Sequence, residues 1–168
     1  MKKIVKKTFL TLFALLSIYV IYGLIIEEQI YMGKIVGIYV PIFNKTERKS
    51  YHVGITADGE TLITMKFSDK QAEKFIQKIK ENEQWSELPI IEKLEIISHS
   101  NKDIPLPHIE NGYWFAIDRY PNKLERYTDD IRKYDIEAIW RENRHAYNYT
   151  VAMFDTDNNV FYFYEVDT

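Results

Sequence analysis

The chain of 168 residues carries 22 Lys and Arg against 25 Asp and Glu, so its net charge is −3 with neutral His. This mildly acidic balance disfavours nucleic acid and an anionic membrane surface as principal partners. Cysteine is absent, so no disulfide can form and the fold depends on apolar burial. Aromatic residues are frequent, with 13 Tyr, 9 Phe and 3 Trp available for such a core.

An uncharged apolar run extends from residue 8 to residue 26. Twelve of its nineteen residues are Leu, Ile, Phe or Val. A helix of about 20 residues spans the hydrocarbon core of a bilayer. Four lysines precede the run, whereas Glu27 and Glu28 follow it. By the positive-inside rule, the sequence predicts a single-pass helix in the lipid bilayer, with its N-terminus in the cytoplasm.

A cleaved signal peptide, with secretion of the remaining chain, is the alternative interpretation. A cleaved signal has an apolar region of about 7–15 residues, followed by small residues at alternate positions. The run here is longer, and Ile21 stands two positions before Gly23. We therefore favour an uncleaved anchor over residues 1–33 and one extracytoplasmic domain over residues 34–168. That domain carries 18 basic and 23 acidic residues, a net charge of −5.

The first part of this domain is rich in β-forming residues. Residues 34–43 predict a strand that stops at a proline, which cannot donate to a ladder. Asp58 and Gly59 lie between two β-rich runs, and this pair is a strong signal for a tight turn. The sequence therefore predicts a hairpin over residues 50–67.

Two helices are predicted after the hairpin. Ser68 and Gln71 fit a capping box, and apolar residues at helical spacing follow them, so the first helix begins near residue 69. Pro89 suits the first turn of a second helix, and apolar residues at helical spacing extend this predicted helix to Ile97. Residues 98–111 contain two prolines among polar residues and predict a loop.

The last part of the chain returns to strands. Residues 112–120 predict one strand, and residues 146–167 predict a terminal hairpin, whereas residues 121–145 are charged and give no clear element. The order of strands, helices and strands favours an α+β fold. We expect an antiparallel sheet with about two helices on one face.

The predicted strand 112–120 supplies the candidate binding site. Alternation separates two sets of side chains, Tyr113, Phe115 and Ile117 on one face and Trp114, Ala116 and Asp118 on the other. We interpret the first set as core. Trp114, Asp118 and the adjacent Arg119 could line a protein-binding surface, because Trp and Arg often anchor interfaces. The alternative is a Trp packed under a helix, beside a charged strand end.

Candidates for catalysis are weaker. His99 and His108 share a predicted loop with Asp103, and a histidine with a nearby carboxylate can act as a general base. Solvated loop histidines are the commoner explanation. No nucleophile elbow, glycine-rich phosphate loop or zinc-ligand spacing occurs, so no cofactor is predicted.

The segment "DTDNN" superficially suggests a calcium loop. Asp155, Asp157 and Asn159 alternate as ligands would, but Val160 occupies the sixth position, where a calcium loop requires glycine. Asp and Asn are also the residues that hairpin turns prefer. The sequence therefore predicts a plain turn and no metal site.

The segments "NGYWFAIDRY" and "YNYTVAMFDTDNNVFYFYEVDT" resemble a group of small, uncharacterised bacterial membrane-anchored proteins. These proteins have a similar NGYWF strand and a closing aromatic hairpin that ends in acidic residues. The resemblance implies a bacterial, envelope-facing protein. It implies no activity and no site residues.

Together these features favour a non-enzymatic binding protein held at the membrane, with a protein partner outside the cytoplasm. One specific form is an immunity-type protein that neutralises an exported toxin. The acidic domain would suit a basic partner. The alternatives are an envelope hydrolase that uses the loop histidines and an accessory subunit of a membrane complex.

Overall fold

The structure is a computed structural model that describes residues 2–42, 44–52, 59–90, 104–119 and 148–167. The described residues form two helices and one six-stranded sheet in which every pair of neighbouring strands is antiparallel. The elements are α1 (Lys2–Val36), β1 (Thr46–His52), β2 (Gly59–Lys66), α2 (Asp69–Lys80), β3 (Ser86–Glu87), β4 (Gly112–Asp118), β5 (Tyr149–Asp155) and β6 (Val160–Asp167). The predicted α+β class is therefore confirmed.

The strands follow the order β1-β2-β6-β5-β4-β3 across the sheet. The β1–β2 and β5–β6 pairs confirm the two predicted hairpins, although residues 53–58 of the first turn lie outside the described residues. The predicted strand 112–120 corresponds to β4. Because β6 pairs with β2 on one side and β5 on the other, the two hairpins join at the centre of the sheet.

The sheet has two buried faces. On the first, which we call the helix face, α2 and the end of α1 pack on a row of strand residues: Ile63, Phe163, Ala152 and Phe115. On the second, the tyrosine face, two fully buried tyrosines, Tyr149 and Tyr164, cluster with Trp114 and with Leu106 from the segment before β4. Burial on both faces explains why large apolar side chains occur at successive positions of β6, where residues 161–164 are all aromatic.

Helix α2 forms as its sequence predicts. The Gln71 Oε1 accepts a hydrogen bond from the backbone N–H of Ser68 at 2.9 Å, which is the return half of a capping box. Ala72, Phe75 and Ile79 are each at most 3% exposed, so the predicted apolar stripe lies against the sheet. The opposite side of the helix carries Glu73 and several lysines that face water.

The predicted strand at 34–43 is wrong. Helix α1 continues through Val36, and residues 37–42 have no regular structure. Met32, Ile35 and Val36 recur at helical spacing and are fully buried on the helix face, so tertiary packing favours a helix over the local β propensity. Gly37 ends the helix with a φ of 71°, a conformation that glycine adopts without a Cβ penalty.

Helix α1 therefore crosses the predicted boundary between residues 33 and 34, and its last turns belong to the core of the sheet domain. A search of the helices in the described residues finds none with the length and hydropathy of a membrane span. The described part of the predicted loop, residues 104–111, has no regular structure, as expected. Most of the predicted second helix and all of residues 121–145 lie outside the described residues.

Candidate functional site

The structure does not bring Trp114 and Arg119 onto one exposed surface. Trp114 is 7% exposed on the tyrosine face, and its Nε1 has no hydrogen-bond partner in the described part of the chain. Arg119 is 5% exposed and reaches carboxylates on the helix face. The side chain of Asp118 lies outside the described residues. A role for these residues in binding stays a prediction. Trp114 is packed, as in the alternative interpretation, but on the tyrosine face with Leu106 and not under α1 or α2.

Arg119 is the cation of a buried ionic cluster. Its Nη1 lies 3.1 Å from Asp167 Oδ1 and 3.6 Å from Glu165 Oε1. Its Nη2 donates to the backbone carbonyls of Val166 at 3.1 Å and Tyr149 at 3.4 Å. A guanidinium removed from water requires such partners, because an unpaired buried charge is strongly destabilising. Arg119 is therefore a buried and paired side chain, not an exposed one at the end of β4.

The same cluster also holds helix α1 on the sheet. Glu165 Oε1 accepts a hydrogen bond from the Tyr31 hydroxyl at 2.5 Å and another from Thr150 at 3.4 Å. The Tyr31 ring packs edge-on against Phe163, with ring centroids 6.1 Å apart. We call Tyr31, Arg119, Thr150, Glu165 and Asp167 the Arg119 cluster. It fixes the helix to β6 by polar contacts, next to the apolar contacts of the helix face.

Replacing Tyr31 with phenylalanine should lower the free energy of unfolding by about 1.5 kcal/mol. The ring packing on Phe163 remains, but Glu165 loses one hydrogen bond, and bonds to charged groups contribute about 1.5–3 kcal/mol. The lower value applies because this bond is only partly buried. Urea unfolding of the full chain in detergent micelles, followed by tryptophan fluorescence, measures the change. Tyr19→Phe, at a side chain 75% exposed, is the matched control and should have no effect.

Of the candidate catalytic residues, the structure places only His108, and its side chain is exposed in the irregular segment before β4. His99 and Asp103 lie outside the described residues. A catalytic role for the three residues therefore stays a prediction.

The turn between β5 and β6 is the plain turn that its sequence predicts. Asp155 Oδ1 accepts the backbone N–H groups of Asp157 and Asn158, both at 2.9 Å. Asn159 adopts a φ of 51°, a left-handed conformation that asparagine tolerates. The Asp155 carboxylate therefore stabilises the hairpin turn by hydrogen bonds to its backbone.

Tyr149, on the tyrosine face, is a further buried polar group. Burial raises the pKa of its hydroxyl far above the usual range, and the nearby Glu60 carboxylate raises that pKa further. The hydroxyl therefore stays protonated at physiological pH. This environment suits a structural tyrosine rather than a nucleophile or a general base.

A groove lies where α1 ends on the sheet domain, and the sequence analysis missed it. It has a volume of about 330 Å³ and is bounded by Gln29, Ile30, Gly33 and Lys34 of α1 and by Tyr39 and Ile42 of the following segment. Gly33 allows that segment to approach closely, since a Cβ at this position would lie 3.1 Å from the Ile38 carbonyl oxygen. We refer to this feature as the α1 groove.

The α1 groove combines apolar walls with two polar groups. Ile30 and Tyr39 are 51% and 66% exposed, which is unusual for large side chains beside a domain core. Gln29 is only 4% exposed, yet its Oε1 has no hydrogen-bond partner among the described residues. Lys34 is exposed at the rim. An apolar cleft with a few polar groups is the usual form of a small-molecule site.

Comparison of the chain with protein-family models, with curated proteins and with solved structures finds no match. The case for a function therefore depends on the contacts and exposures of the described residues.

Proposed function

We propose that the protein is a single-pass membrane protein whose α+β domain lies outside the cytoplasm and binds a protein partner there. The observation that carries the membrane location is the exposure of α1. Ten large apolar side chains along residues 9–22 are between 47% and 75% exposed: Phe9, Leu10, Leu12, Phe13, Leu15, Leu16, Ile18, Tyr19, Val20 and Tyr22. They lie on all sides of the helix. Water does not stabilise such a helix, whereas lipid does.

The polar groups of this segment are compatible with lipid. The Ser17 hydroxyl donates to the backbone carbonyl of Phe13 at 2.9 Å, so this group is satisfied within the helix. At 1.5 Å per residue, residues 8–26 rise about 28 Å, close to the thickness of a hydrocarbon core. The proposed membrane location is therefore supported by the exposure of the apolar side chains of α1 rather than by the hydropathy of the helix.

The contrast within α1 strengthens the proposal. Beyond the exposed segment, the same continuous helix buries Met32, Ile35 and Val36 on the sheet and bonds Tyr31 to Glu165. The side chains at one end of the helix are thus buried by the sheet domain, whereas the large apolar side chains of residues 9–22 are largely exposed. A bilayer supplies the missing apolar environment and leaves the domain directly at its surface.

A pair of reporter fusions tests the location. We expect a fusion of alkaline phosphatase after Thr168 to be active and a fusion of green fluorescent protein at the same place to be dark, because the positive-inside rule exports the domain. The chain should also stay in the membrane pellet after alkaline carbonate extraction. A bright fluorescent fusion with an inactive phosphatase would reverse the orientation, and release into the supernatant would exclude an integral anchor.

The proposed partner is a basic protein outside the cytoplasm, and an immunity-type protein acting on an exported toxin is one specific form. The net charge of −5 on residues 34–168 supports this choice, because opposite charge speeds association. We expect one stoichiometric basic partner to be recovered by crosslinking in membranes, purification and mass spectrometry. The amount of partner recovered should fall at high salt, because salt screens the attraction between the charges. Failure to recover a partner, together with turnover of an envelope substrate, would favour the hydrolase instead.

A further inference from the structure

We propose that the α1 groove binds a phospholipid whose headgroup carries a primary amine. The inference rests on the proposed membrane location of α1. If residues 8–26 cross the hydrocarbon core, Gln29 lies about 4.5 Å beyond its edge and Lys34 about 12 Å beyond it. The headgroup layer on each side of a bilayer is about 5–8 Å thick. Gln29 and Ile30 therefore lie within the headgroup layer, and the flexible side chain of Lys34 reaches back toward that layer from its outer side.

The groove offers a complementary contact to each part of such a lipid. The exposed Ile30 and the partly buried Ile42 supply apolar walls for the first part of an acyl chain. Gln29 Oε1 is a buried acceptor without a partner, and an ammonium N–H would satisfy it. Lys34 supplies a cation for the phosphate, and its side chain leans toward the N-terminal end of the helix, where Gln29 lies.

Charge distinguishes the amine lipid from its competitors. Glu27 is exposed at the edge of the bilayer, and the domain beyond it carries a net charge of −5, so a lipid with a net negative charge is disfavoured. A phosphatidylethanolamine headgroup has no net charge and brings an ammonium donor. Phosphatidylcholine has the same phosphate, but its quaternary amine has no N–H to donate to Gln29.

Native mass spectrometry of the full chain in maltoside micelles tests this assignment. The added probes are dihexanoyl phosphatidylethanolamine, phosphatidylcholine and phosphatidylglycerol. We expect the ethanolamine lipid to bind about tenfold more tightly than the choline lipid, which corresponds to one hydrogen bond from a charged donor. The Gln29→Met variant should remove this preference, because methionine keeps the volume of the side chain and lacks the acceptor.

Variants at Lys34 test the phosphate contact and do not depend on the buried position. Lys34→Gln should weaken binding about fivefold, and Lys34→Arg should restore it, since a lysine near a lipid phosphate contributes about 1 kcal/mol. Lys74→Gln is the matched control, because Lys74 is exposed on α2, away from the groove. This variant should bind the ethanolamine lipid as tightly as the unmodified chain does.

Three outcomes would overturn the inference. The first is equal binding of the ethanolamine and choline lipids, and the second is binding of the glycerol lipid at least as tight as that of the ethanolamine lipid. The third is an equal loss of lipid affinity in Lys74→Gln and Lys34→Gln. These outcomes are distinct from failure of the proposed function. If carbonate extraction leaves the chain in the membrane but the lipid preference is absent, only the groove assignment fails. If the chain is released from the membrane, the proposed function fails whatever the micelle experiment gives.

Discussion

Replacing Arg119 with alanine should lower the free energy of unfolding by about 3–5 kcal/mol, the usual cost of removing one partner from a buried ionic cluster. The guanidinium is the cation that Glu165 and Asp167 share, and it also donates to two backbone carbonyls. Its loss leaves two carboxylates close together with no cation between them. A loss of this size is a large part of the stability of a small domain.

Urea unfolding of the full chain in detergent micelles measures this loss, and Arg48→Ala is its matched control. Arg48 also contacts a carboxylate, Glu28, at 2.9 Å, but its side chain is 57% exposed. A pair in water contributes less than about 1 kcal/mol. Adding Glu165→Gln to Arg119→Ala should recover part of the loss, because it removes one unpaired charge. Equal effects of Arg119→Ala and Arg48→Ala would show that the Arg119 cluster adds little stability.

The burial of Arg119 shows where local sequence patterns stop being informative. A charged residue at a strand end usually faces water, and the residues next to Arg119 give no other signal. Its partners Glu165 and Asp167 lie on β6, which reaches β4 only through β5. The register of two strand pairs must therefore be known before the cluster can be found. By contrast, the two faces of β4 follow from alternation alone, and the structure confirms that Phe115 and Ile117 lie in the core.

The error at residues 34–43 has a related cause. Ile, Val and Tyr favour a strand in isolation, but β propensity depends strongly on tertiary context. In the structure Ile35 and Val36, with Met32 before them, are fully buried as the last turns of a helix, and this packing outweighs the local β propensity. The α1 groove arises from this arrangement. It depends on the end of the helix at Gly37, which is a helix-stop signal only once the helix is recognised, and on the close approach of the chain at Gly33.

The same arrangement connects the anchor to the proposed binding function. Because α1 is continuous from the exposed apolar segment to the core, no linker would separate the sheet domain from the proposed bilayer. In the proposed location the sheet domain stands close to the membrane, and the edge strand β1 is one surface left open to a partner. All but the first residue of β1 are exposed, and its charged side chains oppose unspecific strand pairing.

Replacing Phe75 with alanine should also lower the free energy of unfolding by about 3–5 kcal/mol, the cost of truncating a core aromatic residue. Phe75 is 2% exposed and lies between α2 and the helix face. Its ring contacts four others, with centroid distances of 5.0 Å to Phe67, 5.1 Å to Phe154, 5.3 Å to Phe161 and 6.2 Å to Trp85. The truncation leaves a cavity among rings that belong to different elements, so neighbouring side chains cannot easily collapse into it.

Phe9→Ala is the control for this experiment, because it removes the same ring from a side chain that is 71% exposed on α1. In micelles, we expect Phe75→Ala to shift the urea transition of the sheet domain to a much lower midpoint, whereas Phe9→Ala leaves that midpoint unchanged. In membranes we expect the opposite for retention in the pellet after carbonate extraction: Phe9→Ala should reduce it more than Phe75→Ala does. Of the two side chains, Phe9 alone belongs to the proposed lipid-facing surface. A shift of the urea midpoint by Phe9→Ala as large as that by Phe75→Ala would mean that the N-terminal half of α1 packs on the domain. That result would remove the main support for a membrane anchor.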